Sequence, residues 1–83
     1  MRTKYKHMHF VQRSKDIWDC RMNRGNALLG VIEWYSPWER WSLSPVEYTR
    51  FSDDCMQDIL HFINQLKEMN FVAKFGQLKK SGK

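Results

Sequence analysis

The chain has 83 residues, 14% of them aromatic, with 14 Lys and Arg against 9 Asp and Glu for a net charge of +5. That length predicts one domain, near the size at which a single core just suffices, and large rings help because each buries much area. No apolar run approaches the roughly 20 residues of a bilayer span, no apolar stretch follows the basic N-terminus as a secretory signal requires, and Cys20 and Cys55 form no disulfide framework. The expectation is a cytosolic, reduced protein with no membrane association.

Residues 1–24 hold seven Lys or Arg against Asp16 and Asp19, a net +5. Residues 1–8 read as a basic arm, loose from Met1 to Lys6. His9 to Arg13 is a short strand. Ile17 to Met22 alternates, Trp18, Cys20 and Met22 pointing one way and Ile17, Asp19 and Arg21 the other. Asn23-Arg24-Gly25-Asn26 supplies hairpin turn chemistry, with Gly25 able to take positive φ.

Residues 25–73 reverse the balance to −4. Ala27 to Tyr35 is the longest strand candidate: Leu28, Gly30, Ile32 and Trp34 share one face, and Leu29, Val31, Glu33 and Tyr35 the other. Ser36-Pro37-Trp38-Glu39 is a second turn, with Pro37 suited to its first central position. Arg40 to Leu43 returns with Trp41 and Leu43 on its apolar side, and Pro45 ends the strand because it lacks the ladder N–H.

Ser52 is a good N-cap, and Asp53 and Asp54 place negative charge in a first helical turn. Cys55, Ile59, Phe62, Ile63 and Leu66, flanked by Met56 and Leu60, form an apolar stripe at helical spacing, predicting a helix that ends near Asn70. The last ten residues add four lysines. The organisation is therefore a single α+β domain over 9–70, with a basic, partly disordered tail over 71–83. The fold class is a small antiparallel sheet, a meander of three to four strands, packed on one C-terminal amphipathic helix.

One helix covers only one face of such a sheet. Trp18, Ile32, Trp34, Trp41 and Leu43 suffice to meet it, with Ile32 and Trp34 in the core. The other face should then be polar, yet it would hold Ile17, Leu29, Val31 and Tyr35 interleaved with Arg21, Glu33 and Arg40. Either this is a binding patch, or the N-terminal segment or the tail folds across it. Trp38 at the hairpin tip is either a binding hot spot or a ring folded back over the strand pair.

The stretch LGVIEWYSPWERWSLSP followed by FSDDCMQDILHFINQL resembles a class of small phage and mobile-element accessory proteins. These share a strand pair and helix matched here by Gly30, Ile32, Trp34, Tyr35, Trp38, Arg40, Trp41, Leu43 and Pro45, then Phe51, Cys55, Met56, Ile59 and Phe62. The likeness covers about half the chain. Trp41, Leu43 and Met56 depart from the pattern's tyrosine, phenylalanine and leucine, changes a core could absorb. The class carries no assigned activity, so the resemblance implies a context, an accessory protein acting on a host system, and no functional residue.

Chemistry is sparsely signalled. His7, His9, Cys20 and Cys55 lack metal-ligand spacing, and Cys55 sits on the apolar stripe, beside two aspartates that oppose a thiolate. No phosphate loop or catalytic triad is present, so neither an enzyme nor a cofactor is expected. Three binding functions follow. The first is a module that modulates a host protein, with a homodimer as a variant, through the aromatic sheet face or hairpin tip. The second is a nucleotide-binding or sequestering protein, with Tyr35, Trp38 or Trp41 stacking on a base and Arg21, Arg24 or Arg40 holding phosphate. The third is a nucleic-acid binder using the basic N-terminal segment and tail. The candidate binding residues are Arg21, Arg24, Val31, Glu33, Tyr35, Trp38, Arg40 and Trp41.

Overall fold

A computed structural model describes residues 1–82, with side chains for residues 1–69. Four strands, β1 (Met8–Ser14), β2 (Ile17–Met22), β3 (Leu28–Tyr35) and β4 (Arg40–Pro45), precede one helix, α1 (Asp53–Gly82). The strands form an antiparallel meander in the order β1-β2-β3-β4, so the protein is a small α+β domain. Both predicted hairpin turns are present. Gly25 and Asn26 take φ of 82° and 59° between β2 and β3. The Glu39 N–H donates to the Ser36 carbonyl across the Pro37 turn.

Register decides which side chains reach the helix. Phe10 lies opposite Cys20, and Cys20 opposite Gly30. Trp18 lies opposite Ile32, Ile32 opposite Leu43, and Trp34 opposite Trp41. Directly opposed residues in an antiparallel sheet share a face, so all of these line the helix side. Phe62 of α1 is their hub: its ring stacks on Phe10 at 4.0 Å and receives the edge of Trp18 at 5.0 Å. Ile59 and Leu66 complete the buried stripe, with Cys55 and Ile63 packed against it. Ser52 caps the helix as expected, its Oγ accepting from the Cys55 N–H at 3.2 Å.

Gly30 is required by a close approach. A Cβ there would sit 3.0 Å from both Leu43 Cδ1 and the Ser44 carbonyl oxygen, and the backbone atom has little freedom to yield.

Four readings of the sequence are corrected. The stretch 1–8 is basic but not a loose arm, because Tyr5 and Met8 are core residues. The Tyr5 ring meets Phe10 edge-on, and its hydroxyl lies 2.7 Å from His61 Nδ1 and accepts from Gln65 Nε2. Gln65 in turn holds the Arg2 backbone through both its amide atoms. Second, a bulge between Cys20 and Arg21 sets Arg21 opposite Leu28. The extra residue exchanges the predicted faces of Leu28 and Leu29, and Leu29 packs against the core. Third, Trp34, expected in the core with Ile32, is only half-buried and stands outside the core cluster, edge-on to Trp41; Met56 and Leu60, flanking the stripe, are exposed. Fourth, α1 is Asp53–Gly82, past the end suggested near Asn70, and no proline follows Pro45 to stop it. The basic tail expected at 71–83 falls on side chains outside the description.

Candidate functional site

The face of the sheet turned away from α1 is the candidate surface. Its central row runs Val11, Asp19, Val31, Ser44 across the four strands, and the next runs Ile17, Glu33, Ser42. Tyr35 and Arg40 pair at the hairpin end. Among the described residues nothing lies over this face: the N-terminal segment, one of the two segments that could have crossed it, instead packs against the helix side through Tyr5 and Gln65.

Asp19 organises the polar part. It is only 7% exposed, although it stands on the uncovered face. Arg13 bonds one carboxylate oxygen, and the Arg21 Nη2 lies 3.4 Å from the other. A bulge between Gln12 and Ser14 accompanies the Arg13 position. Arg21 also donates from Nη1 to the Asn26 carbonyl, so its guanidinium is held at two points, by the carboxylate and by the turn. An arginine fixed in this way loses little further freedom on meeting a partner.

The apolar part is graded from half-buried to exposed. Ile17 and Val31 are half-buried, and Val11 is 45% exposed on the edge strand. Trp38, at the hairpin tip, is 68% exposed and touches Tyr35 edge-on at 5.0 Å, so its ring is not folded away over the strand pair. Arg40 donates to the neighbouring Glu39 carbonyl, leaving the rest of its fork toward solvent.

Six of the eight predicted binding residues are therefore brought to one surface: Arg21, Val31, Glu33, Tyr35, Trp38 and Arg40. Two are not. Trp41 is half-buried on the helix side, edge-on to Trp34 at 5.8 Å, and its buried Nε1 has no hydrogen-bond partner among the described residues. Arg24 projects from the β2–β3 turn into a cavity away from the sheet face. Sequence reasoning missed Val11, whose place follows from the same period-two alternation, and Arg13, which the bulge in β1 leaves out of the strand register. It also missed Tyr48, 93% exposed in the β4–α1 loop with φ of 68°, a backbone region bulky residues seldom occupy.

The remaining reactive groups are dispersed. Cys20 is fully buried with its thiol donating toward Met8 Sδ at 3.6 Å. His9 is held between Asn23 and Asn26. Among the described residues no three His, Cys, Asp or Glu side chains gather where a metal ion could sit, and no helix is long and apolar enough to cross a membrane. No family model matches the chain, and no curated protein or solved structure matches it either.

Proposed function

We propose that this chain is a non-catalytic binding protein, of the phage accessory type its strand pair and helix resemble, that modulates a host protein docked on the open sheet face. The observation that carries this reading is an uncovered face bearing Val11, Ile17 and Val31 between Arg13, Arg21 and Arg40, with Trp38 projecting at its end. A solvated antiparallel face is ordinarily polar. Mixed apolar, arginine and aromatic character, with one charge pair already organised, is the composition of a docking patch. Arginines outnumber acids there, and Asp19 is already engaged by two of them, so the complementary partner surface is apolar and acidic.

Affinity capture from bacterial lysate tests this, comparing the wild type with Val11→Lys and Trp38→Ala. Both positions are exposed, so each variant should melt within about 4 °C of the wild type, as surface substitutions do. A protein held by the wild type and by Arg24→Glu, but released by both face variants, is the expected result. Capture of nothing, of the same proteins by all four chains, or of a second copy alone overturns the reading.

A further inference from the structure

A second surface, separate from the sheet face, is built where four stretches of chain converge. The N-terminal segment, the β2–β3 turn, the β4–α1 loop and the first turn of α1 line a half-open cavity of about 360 Å³. Lys6, Arg24 and Arg50 stand on its exposed rim with His7 beside them. Its floor is apolar: Met8 is buried, while Leu29, delivered by the bulge in β3, and Phe51 are half-buried.

Two features make this more than a dent among surface cations. None of the lining residues is acidic, and the ion pairs of the described residues both fall on Asp19, so Lys6, Arg24 and Arg50 face the cavity with no carboxylate partner. Asp53 and Asp54 follow nearby in sequence but do not line it, and the Asp53 carboxylate is occupied by the Asp54 N–H. Three like charges around one concavity repel each other until an anion joins them, and a concave wall concentrates their field. Two of the walls, the N-terminal segment and the β2–β3 turn, are also tied together in advance. Asn23 Nδ2 donates to the Tyr5 and Lys6 carbonyls at 2.8 and 3.1 Å, and the Asn23 N–H donates to the His7 carbonyl.

We propose that this cavity binds a small phosphorylated molecule with a planar or apolar body, of mononucleotide size, its phosphate held by Lys6, Arg24 and Arg50 and its body by Met22, Leu29 and Phe51. The volume lies near the lower end of the roughly 300–1,000 Å³ of ligand pockets, which suits one nucleotide unit and not two. Bare phosphate leaves the apolar floor unused; an uncharged nucleoside leaves the cations unmet.

Calorimetric titration at low salt with AMP, phenyl phosphate, inorganic phosphate and adenosine tests it, alongside alkylation of Cys55, which lines the same cavity. At least one organophosphate should bind, about tenfold or more tighter than inorganic phosphate or adenosine, and should slow Cys55 alkylation in the wild type. Arg24→Glu and Arg50→Glu should each weaken it about tenfold or more, the scale of a lost charge-assisted bond. Lys15→Glu makes the same charge change in the β1–β2 turn, at the far end of that hairpin from Met8 and Met22, and should leave it unaltered. No binding below about 1 mM for either organophosphate, equal binding of phosphate alone, an unprotected Cys55, or equal weakening by Lys15→Glu overturns the proposal.

Discussion

Cys20 is fully buried while Cys55, packed at the edge of the core, is half-buried, and this difference sets their chemistry. Burial pushes the Cys20 thiol up from 9.0 to about 12, with Cys55 adding a smaller push in the same direction. The folded protein therefore keeps the Cys20 proton through a range in which the unfolded chain releases it. Its stabilising contribution is complete below pH 9 and is lost as pH rises from 9.0 toward about 12. Tyr5, also raised by burial, drives stability the same way at alkaline pH. Native-state alkylation at pH 8 should accordingly modify Cys55 and spare Cys20, and denaturation midpoints should fall between pH 8 and pH 10.5, less steeply in Cys20→Ala. Equal alkylation of both thiols, or the same slope in the variant, would show that Cys20 is accessible to solvent.

At the scale of elements, the β2–β3 turn does more than reverse the chain. Asn23 holds the Tyr5 and Lys6 carbonyls through its amide and receives His9 Nδ1 at 2.8 Å on its carbonyl oxygen. Since both amide protons are taken, Asn23 Oδ1 is the group facing His9, whose other ring nitrogen lies 3.1 Å from Asn26 Oδ1. Asn23→Ala strips these bonds from partly buried groups and should cost about 1–3 kcal/mol, read as a lower urea midpoint at unchanged slope; an unaltered midpoint would show that water replaces the side chain freely. The turn itself was legible, because Asn-Arg-Gly-Asn signals positive φ locally. Its hold on Tyr5 and Lys6 was not, since those partners lie 18 and 17 residues away and nothing in a local pattern points to them. The same division runs through the rest of the molecule. Period-two alternation placed Val31, Glu33, Tyr35 and Arg21 on one face, and helical spacing found Ile59, Phe62 and Leu66. A single extra residue opposite Cys20 and Arg21 defeated the alternation at Leu28 and Leu29, because a bulge shifts every later face assignment by one. Alternation also put Trp41 on the helix side, where it packs against the core; it fails only as a binding residue, because closeness to the hairpin tip says nothing about exposure. The cavity was invisible for a stronger reason: its cations come from Lys6, Arg24 and Arg50, which only the closed fold brings together.

Taken whole, the molecule depends on the N-terminal segment to complete a small core. Nine apolar residues are buried among the described side chains, Tyr5, Met8 and Phe10 among them, so a third of that core precedes β2. Phe62 ties this portion to the sheet by stacking on Phe10 while receiving Trp18, and Tyr5 meets Phe10 edge-on. A domain this size has only about 5–15 kcal/mol of net stability, and Phe62→Ala should remove about 3–5 kcal/mol of it. Tyr5→Ala should remove about 3 kcal/mol, the low end of an aromatic truncation, and lower the melting temperature by roughly 12–24 °C. If the segment is integral to one core, both variants shift the same single cooperative transition, followed by tryptophan fluorescence and far-ultraviolet circular dichroism together. The contrary outcome is specific: a Tyr5→Ala protein that melts with the wild type, or loses a separate early phase, would mean that residues 1–7 dock reversibly on a core that stands without them. The same experiment bears on the cavity, because Lys6 and His7 form its N-terminal wall only while Tyr5 stays seated. Tyr5→Ala should therefore weaken organophosphate binding in proportion to its loss of seating, and leave partner capture on the distant sheet face unchanged.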